Sequence, residues 1–246
     1  MLLFLFLYIL SFSSSSLSLN QEGLYLQQTK LSLSDPDLTL SGTERPVWNV
    51  GYGTERLINL CGHAEGLFPY YGNYVKLASI EYRILNESGV SQPRKVAFVG
   101  SGPLPLTSFI MATHHMKLTH FDNFDIDEAA NDVARQIVAS DHELEKRMKF
   151  ETGDITEVQE KLSEYDCIFL AALVGMSKVD KVKILGHIRK YMKEGGVLLV
   201  RSAKGARAFL YPVVEEQDVL GFELLSIYHP TNDVINSVVL LRKPAF

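Results

Sequence analysis

The chain has 246 residues, 46% of them apolar and 22% charged, and a formal charge of −5. That length suits one large domain, or a domain of about 150 residues with an accessory segment. The acidic balance leaves no basic footprint for nucleic acid, so small-molecule chemistry is expected. Its two cysteines, Cys61 and Cys167, are far apart and lack metal-ligand spacing, which points to reduced core thiols rather than a disulfide framework or structural zinc.

The chain opens "MLLFLFLYILSFSSSSLSLN". This apolar run has the length of a secretory h-region and is too short to span a bilayer. No Lys or Arg precedes it and no small-x-small cleavage site follows. The cytoplasm is therefore the expected compartment, with the secretory pathway as the alternative if residues 1–20 act as a signal peptide. Only then would the sequon Asn86-Glu87-Ser88 matter. Turn signals at Ser34-Asp35-Pro36-Asp37 and Ser41-Gly42-Thr43 make residues 1–54 a leader and irregular extension. From Glu55 the pattern turns helical, and Val75, Leu77, Ala78, Ile80, Tyr82 and Ile84 space an amphipathic helix over 74–85. Residues 55–92 thus read as a helical segment. Within it "CGHAEGLFPYYGNYVKL" gathers His63, Glu65, Tyr70, Tyr71 and Tyr74, a set that by itself reads first as half-buried helix packing, with an active-site wall as the alternative.

Beyond Pro93, short apolar runs alternate with longer helical patterns: "KVAFVG" strand, "PLTSFIMATHHM" helix, "LTHFDNFDID" strand, "DEAANDVARQIVASD" helix. There follow "MKFETGD" strand, a short helix, "YDCIFLAAL" strand, "KVDKVKILGHIRKYM" helix and "GGVLLVRSA" strand. Such alternation predicts βαβ crossovers and a parallel sheet covered on both faces. "GFELLSIYHP" and "VINSVVLLRK" leave no room for a crossover helix, so they are expected to pair antiparallel. Residues 93–246 therefore read as α/β: a doubly wound, mostly parallel sheet of the S-adenosylmethionine-dependent methyltransferase-like Rossmann type.

"VAFVGSGPLPLTS" stands where an open parallel sheet binds its ligand. Gly100 and Gly102 remove side chains where a ligand approaches the backbone, and Pro103 and Pro105 suit a helix start. A pyrophosphate loop would carry a third glycine at 105, where Pro105 stands. Asp125 ends the second strand at the spacing that meets ribose hydroxyls. Asp127 is a natural N-cap for the next helix. Asp154, after the third strand, is placed to accept from an adenine amino group or to cap a helix from Ile155. Together Gly100, Gly102, Asp125 and Asp154 make S-adenosylmethionine the expected ligand.

"KVAFVGSGPLPLTSFIMA", "NFDIDEAAN", "YDCIFLAALVGM" and "RSAKGARAFLYPVV", with "LINLCGHAEG" and "FPYYGNYVKL" upstream, resemble the plant nicotianamine synthase family from about Glu55 to Lys243. The resemblance implies a transferase that moves the 3-amino-3-carboxypropyl arm of three S-adenosylmethionine molecules to form nicotianamine and releases methylthioadenosine. Its product chelates iron, zinc and copper in metal homeostasis, so metal belongs to the pathway and no metal site is expected in the protein. Glu65 and Tyr70 correspond to the family's catalytic glutamate and tyrosine. Arg201 or Arg207 is available to grip an α-carboxylate, the alternative being a surface ion pair. Three departures stand out: only Gly66, Leu67, Phe68 and Pro69 separate Glu65 from Tyr70 where the family carries a longer helical segment, His63 replaces a glutamate, and Lys204 replaces a histidine. The alternative is therefore a catalytically impaired member that at most binds S-adenosylmethionine. A methyltransferase is the third reading, disfavoured by the lack of an Asn-Pro-Pro-Tyr-type motif. Small molecules are the expected partners, without nucleic acid or membrane, and the sequence sets no oligomeric state.

Overall fold

A computed structural model describes residues 71–246 except 140, 210, 232 and 246. The expectations for the leader, Cys61, His63, Glu65 and Tyr70 lie outside the described residues. Within them, helix α1 (Tyr71–Glu87) precedes strand β1 (Lys95–Val99), and helix α2 (Leu106–Ile110) leads to β2 (His120–Asp125). Helices α3 (Glu128–Val138) and α4 (His142–Arg147) precede β3 (Met148–Thr152), and β4 (Cys167–Leu170) is followed by α5 (Lys178–Tyr191). The chain ends with β5 (Val197–Ser202), β6 (Glu223–Tyr228) and β7 (Ser237–Arg242).

The seven strands lie in the order β3-β2-β1-β4-β5-β7-β6. The first five are parallel, with Val96 opposite both Phe121 and Cys167. β7 enters antiparallel between β5 and β6, pairing Val200 with Val239. The expected parallel sheet closed by an antiparallel pair is therefore present. The continuous apolar runs of β4 and β5 follow from burial on both faces. Side chains alternate by two: Phe98, Phe169 and Leu199 join α1 and α2 on one face, while Val99, Ile168, Leu198 and Val200 pack with α5 on the other.

Capping follows the sequence signals. The Asp127 side chain accepts from the amides of Ala129 and Ala130, and Ser177 accepts from Asp180 N at the start of α5; each such cap is worth about 1 kcal/mol. Three local expectations are corrected. The "PLTSFIMATHHM" helix keeps α-geometry only over Leu106–Ile110 and widens into a π-turn at Met111–His115. There Met116 N reaches back to the Met111 carbonyl and the Thr113 hydroxyl donates to that of Phe109. Helix α4 was not expected; Asp141 starts it by accepting from Glu143 N and Leu144 N. After Asp154 the chain makes a turn, and the short helix expected before the fourth strand follows as a 3-10 helix over Glu160–Glu164 rather than starting at Ile155.

Candidate functional site

Strand order reverses between β1 and β4, and the glycine-rich loop leaves β1 at that point. Gly100 N donates to the Phe124 carbonyl at 2.8 Å, which stitches the loop to the end of β2. The two glycines serve different ends. A Cβ on Gly100 would stand 2.3 Å from Val174 Cγ2, so its lack of a side chain admits the loop that follows β4. Gly102 has a φ of +65° and nothing within 4 Å of a built Cβ, which leaves open space beside its backbone. Between them Ser101 buries its hydroxyl with no hydrogen-bond partner among the described residues.

Asp125 is half-buried and oriented by two backbone donors: Gly102 N reaches Oδ2 at 2.7 Å and Asp127 N reaches Oδ1 at 3.0 Å. Each oxygen keeps a second lone pair for a ligand hydroxyl. Gly153 N donates to the Asp125 carbonyl at 3.0 Å, bringing the turn that carries Asp154 against the same strand end. Buried Asn131 adds a further tie, donating to Thr152 Oγ1 at 2.9 Å. Asp154 is exposed, and its Oδ1 accepts from both Thr156 N and Thr156 Oγ1 at 2.8 Å. The Thr156 amide is the main cause that holds its carboxyl below the usual range. The structure thus brings Gly102, Asp125 and the Asp154 turn to one edge, and gives Gly100 a packing role.

Two buried charge systems flank that edge on opposite faces of the sheet. On the α1 side, Arg201 Nε and Nη2 donate to Glu81 Oε1 and Oε2 at 2.7 and 3.0 Å, and Nη2 also donates to Thr107 Oγ1 at 2.6 Å. Arg201 is 6% exposed and Glu81 0%, so the ion pair held as the alternative to a carboxylate grip is formed, in the core and not at the surface. Burial alone would lower the Arg201 pKa; the Glu81 carboxylate more than offsets this and the net shift is upward. The side chain of Arg207 lies outside what the structure describes.

On the α5 side, Lys181 is 2% exposed and donates to the carbonyls of Ala171 and Ala172 just beyond β4, at 3.3 and 3.0 Å. Burial pushes its pKa down to about 8 from an ordinary 10.5. The folded state therefore sheds the Lys181 proton before the unfolded state does. The cost of the buried charge is fully present below pH 8 and is relieved as pH rises toward 10.5, up to roughly 3 kcal/mol. Unfolding free energies measured at pH 7.5 and 9.5 are expected to rise more for the wild type than for Lys181→Met; parallel slopes would show that the ammonium is solvated.

An open pocket of about 340 Å³ lies along the loops after β4 and β5, lined among others by Met176, Phe209, Tyr211 and Pro212, with the Lys178–Glu215 ion pair at its side. It includes none of Gly100, Gly102 or Asp125. Cys167 is a buried free thiol, its pKa pushed well up by burial. Among the described residues no group of three His, Cys, Asp or Glu could hold a metal ion, and no helix is long and apolar enough to cross a membrane. Glu81, Thr107 and Lys181 were not anticipated as site neighbours. The available signal was a charge on an apolar helical stripe, with Glu81 among Leu77, Ala78, Ile84 and Leu85, and Lys181 among Ile184, Leu185 and Ile188.

Comparison with known proteins agrees with this architecture. A mutant of MtNAS in complex with S-adenosylmethionine superposes with a TM-score of 0.63 at 23% identity, covering 80% of this chain and 69% of that one. A SAM-dependent methyltransferase from Methanosarcina mazei gives 0.53 at 13%, covering 67% and 99%. At these identities the likeness is one of fold. A nicotianamine synthase of Solanum lycopersicum is 51% identical over 208 residues, covering 76% of this chain and 66% of its own length. Nicotianamine synthase 3 of Arabidopsis thaliana is 50% identical over 210 residues with the same coverage. The chain thus spans just under two thirds of these relatives. The family model described as nicotianamine synthase protein matches residues 54–246, taking in the glycine loop, Asp125, the Glu81–Arg201 pair and the antiparallel closing strands. The chain belongs to the nicotianamine synthase family.

Proposed function

We propose that the chain is a nicotianamine synthase that binds S-adenosylmethionine at the edge of the sheet marked by Gly102, Asp125 and Asp154. The observation that carries this reading is the Asp125 carboxylate, held by Gly102 N and Asp127 N at 2.7 and 3.0 Å beside open backbone at Gly102. A ribose diol is the natural ligand of such a carboxylate, and an adenine amino group suits Asp154. A polar ligand at the loop would also give the Ser101 hydroxyl the partner it lacks. Residues 93–246 form the binding domain in this reading, with 55–92 as a reduced cap. The relatives' names carry the rest: several curated proteins at 48–51% identity are called nicotianamine synthase.

In the reaction, an amine attacks the carbon next to the sulfonium of S-adenosylmethionine. The C–S electron pair passes to sulfur, neutral methylthioadenosine leaves, and the aminocarboxypropyl group is joined to nitrogen. Repetition with further S-adenosylmethionine and one ring closure gives nicotianamine. Glu65, helped by the Tyr70 phenol, takes the proton the nitrogen must lose. Holding the arm in line with the sulfonium contributes the remainder.

A second reading rests on one feature of the sequence, the four residues that separate Glu65 from Tyr70. If so short a link withdraws the carboxylate, the chain binds S-adenosylmethionine without turning it over. Both readings require the ligand site. Asp125→Ala is expected to weaken methylthioadenosine binding by about 1.5–3 kcal/mol in calorimetry, the worth of hydrogen bonds to a charged group. A wild type that binds neither methylthioadenosine nor S-adenosylmethionine would overturn the assignment.

A further inference from the structure

The buried pair of Glu81 and Arg201 joins three stretches that are remote in sequence. Glu81 lies on α1, Arg201 near the end of β5, 120 positions away, and Thr107 at the start of α2, 94 positions from Arg201. Thr107 follows directly on the glycine loop, and α1 continues directly from Tyr70 in the chain. The guanidinium also lies over the Phe98 ring at 5.4 Å, within β1, the strand that feeds the loop.

Stability does not account for a charged pair at this place. Well-packed apolar residues of similar volume serve a core as well as a buried ion pair, and often better. What the pair adds is direction: two nearly parallel N–H···O bonds and a third to Thr107 fix both the rotation and the height of α1 against the loop. Tyr74, in the first turn of α1, and Tyr211, on the wall of the open pocket, share this charge environment, and burial raises both phenol pKa values.

We propose that Glu81 and Arg201 are positioning residues which, through Thr107, lock α1 to the ligand loop, so that occupancy of the loop fixes the position of α1. This rests on the adenosyl-ligand reading above. The clamp touches no reacting atom; it acts by holding α1 to the part of the protein that holds the substrate.

The test is amide hydrogen exchange on the full chain with and without saturating methylthioadenosine. In the wild type the ligand is expected to slow exchange both in residues 100–108 and across Tyr71–Glu87, by about tenfold. Thr107→Val keeps the ion pair but cuts its tie to the loop. Glu81→Met/Arg201→Met replaces the pair by apolar volume. In both variants ligand protection should persist at the loop and disappear from α1, while methylthioadenosine affinity changes by less than about threefold. Melting temperatures of the unliganded variants, expected near the wild type, separate this from simple loss of structure. Protection of α1 that survives in both variants would overturn the coupling alone. A wild type that binds no methylthioadenosine would overturn the ligand reading and the coupling with it.

Discussion

Arg201→Met, with Glu81 intact, is expected to lower the unfolding free energy by about 3–5 kcal/mol. The cause is the partner left behind: Glu81 is 0% exposed and both its oxygens accept from Arg201, so the substitution strands a carboxylate in the core that joins Phe98, Phe109 and Leu199. The Thr107 hydroxyl loses its 2.6 Å contact as well. Denaturant unfolding at neutral pH measures the loss, and adding Glu81→Met should restore most of it, because removing both charges removes the desolvation cost together with the bond. A loss below about 1 kcal/mol, the range of solvated surface pairs, would show that water reaches Glu81.

That pair also shows where sequence reading stops. Glu81 interrupts the apolar stripe of α1 and Lys181 that of α5, so each is visible from the chain alone as a charge on the wrong side of a helix. The answering group is not visible: it is an arginine 120 positions away for Glu81, and two backbone carbonyls at a strand end for Lys181. The packing role of Gly100 is hidden for the same reason, since its lack of a side chain answers Val174 in a loop over seventy positions later. The sheet was legible because its physics is local. Strands buried on both faces must read as apolar runs, parallel neighbours need long crossovers, and "HPTND" is too short for one. Helix α4 was overlooked because "HELEKR" buries only Leu144 and so carries no periodicity; its cap, Asp141, was the one readable signal. The Asp125 arrangement was half legible. Its spacing from the glycines placed it at the strand end, but the two amides that orient its oxygens depend on a loop conformation no spacing encodes.

Glu65→Gln is expected to reduce nicotianamine formation by roughly 10²–10⁴-fold, the usual contribution of a general base, while methylthioadenosine affinity stays about the same. The amide keeps the shape of the side chain but cannot accept a proton from the attacking amine. Binding should be spared because the hydrogen bonds that orient Asp125 and Asp154 are supplied by the loops after β1 and β2 and the turn after β3. The same assay decides between synthase and impaired relative. If four residues between Glu65 and Tyr70 are too few for both groups to face one substrate, wild type and Glu65→Gln will release methylthioadenosine at the same background rate although both bind it. Inserting a family-length helical segment between Gly66 and Phe68 should then raise turnover, because it restores the separation that the family keeps between its glutamate and tyrosine. Robust nicotianamine formation by the unaltered chain, abolished by Glu65→Gln, would instead show that the short link suffices.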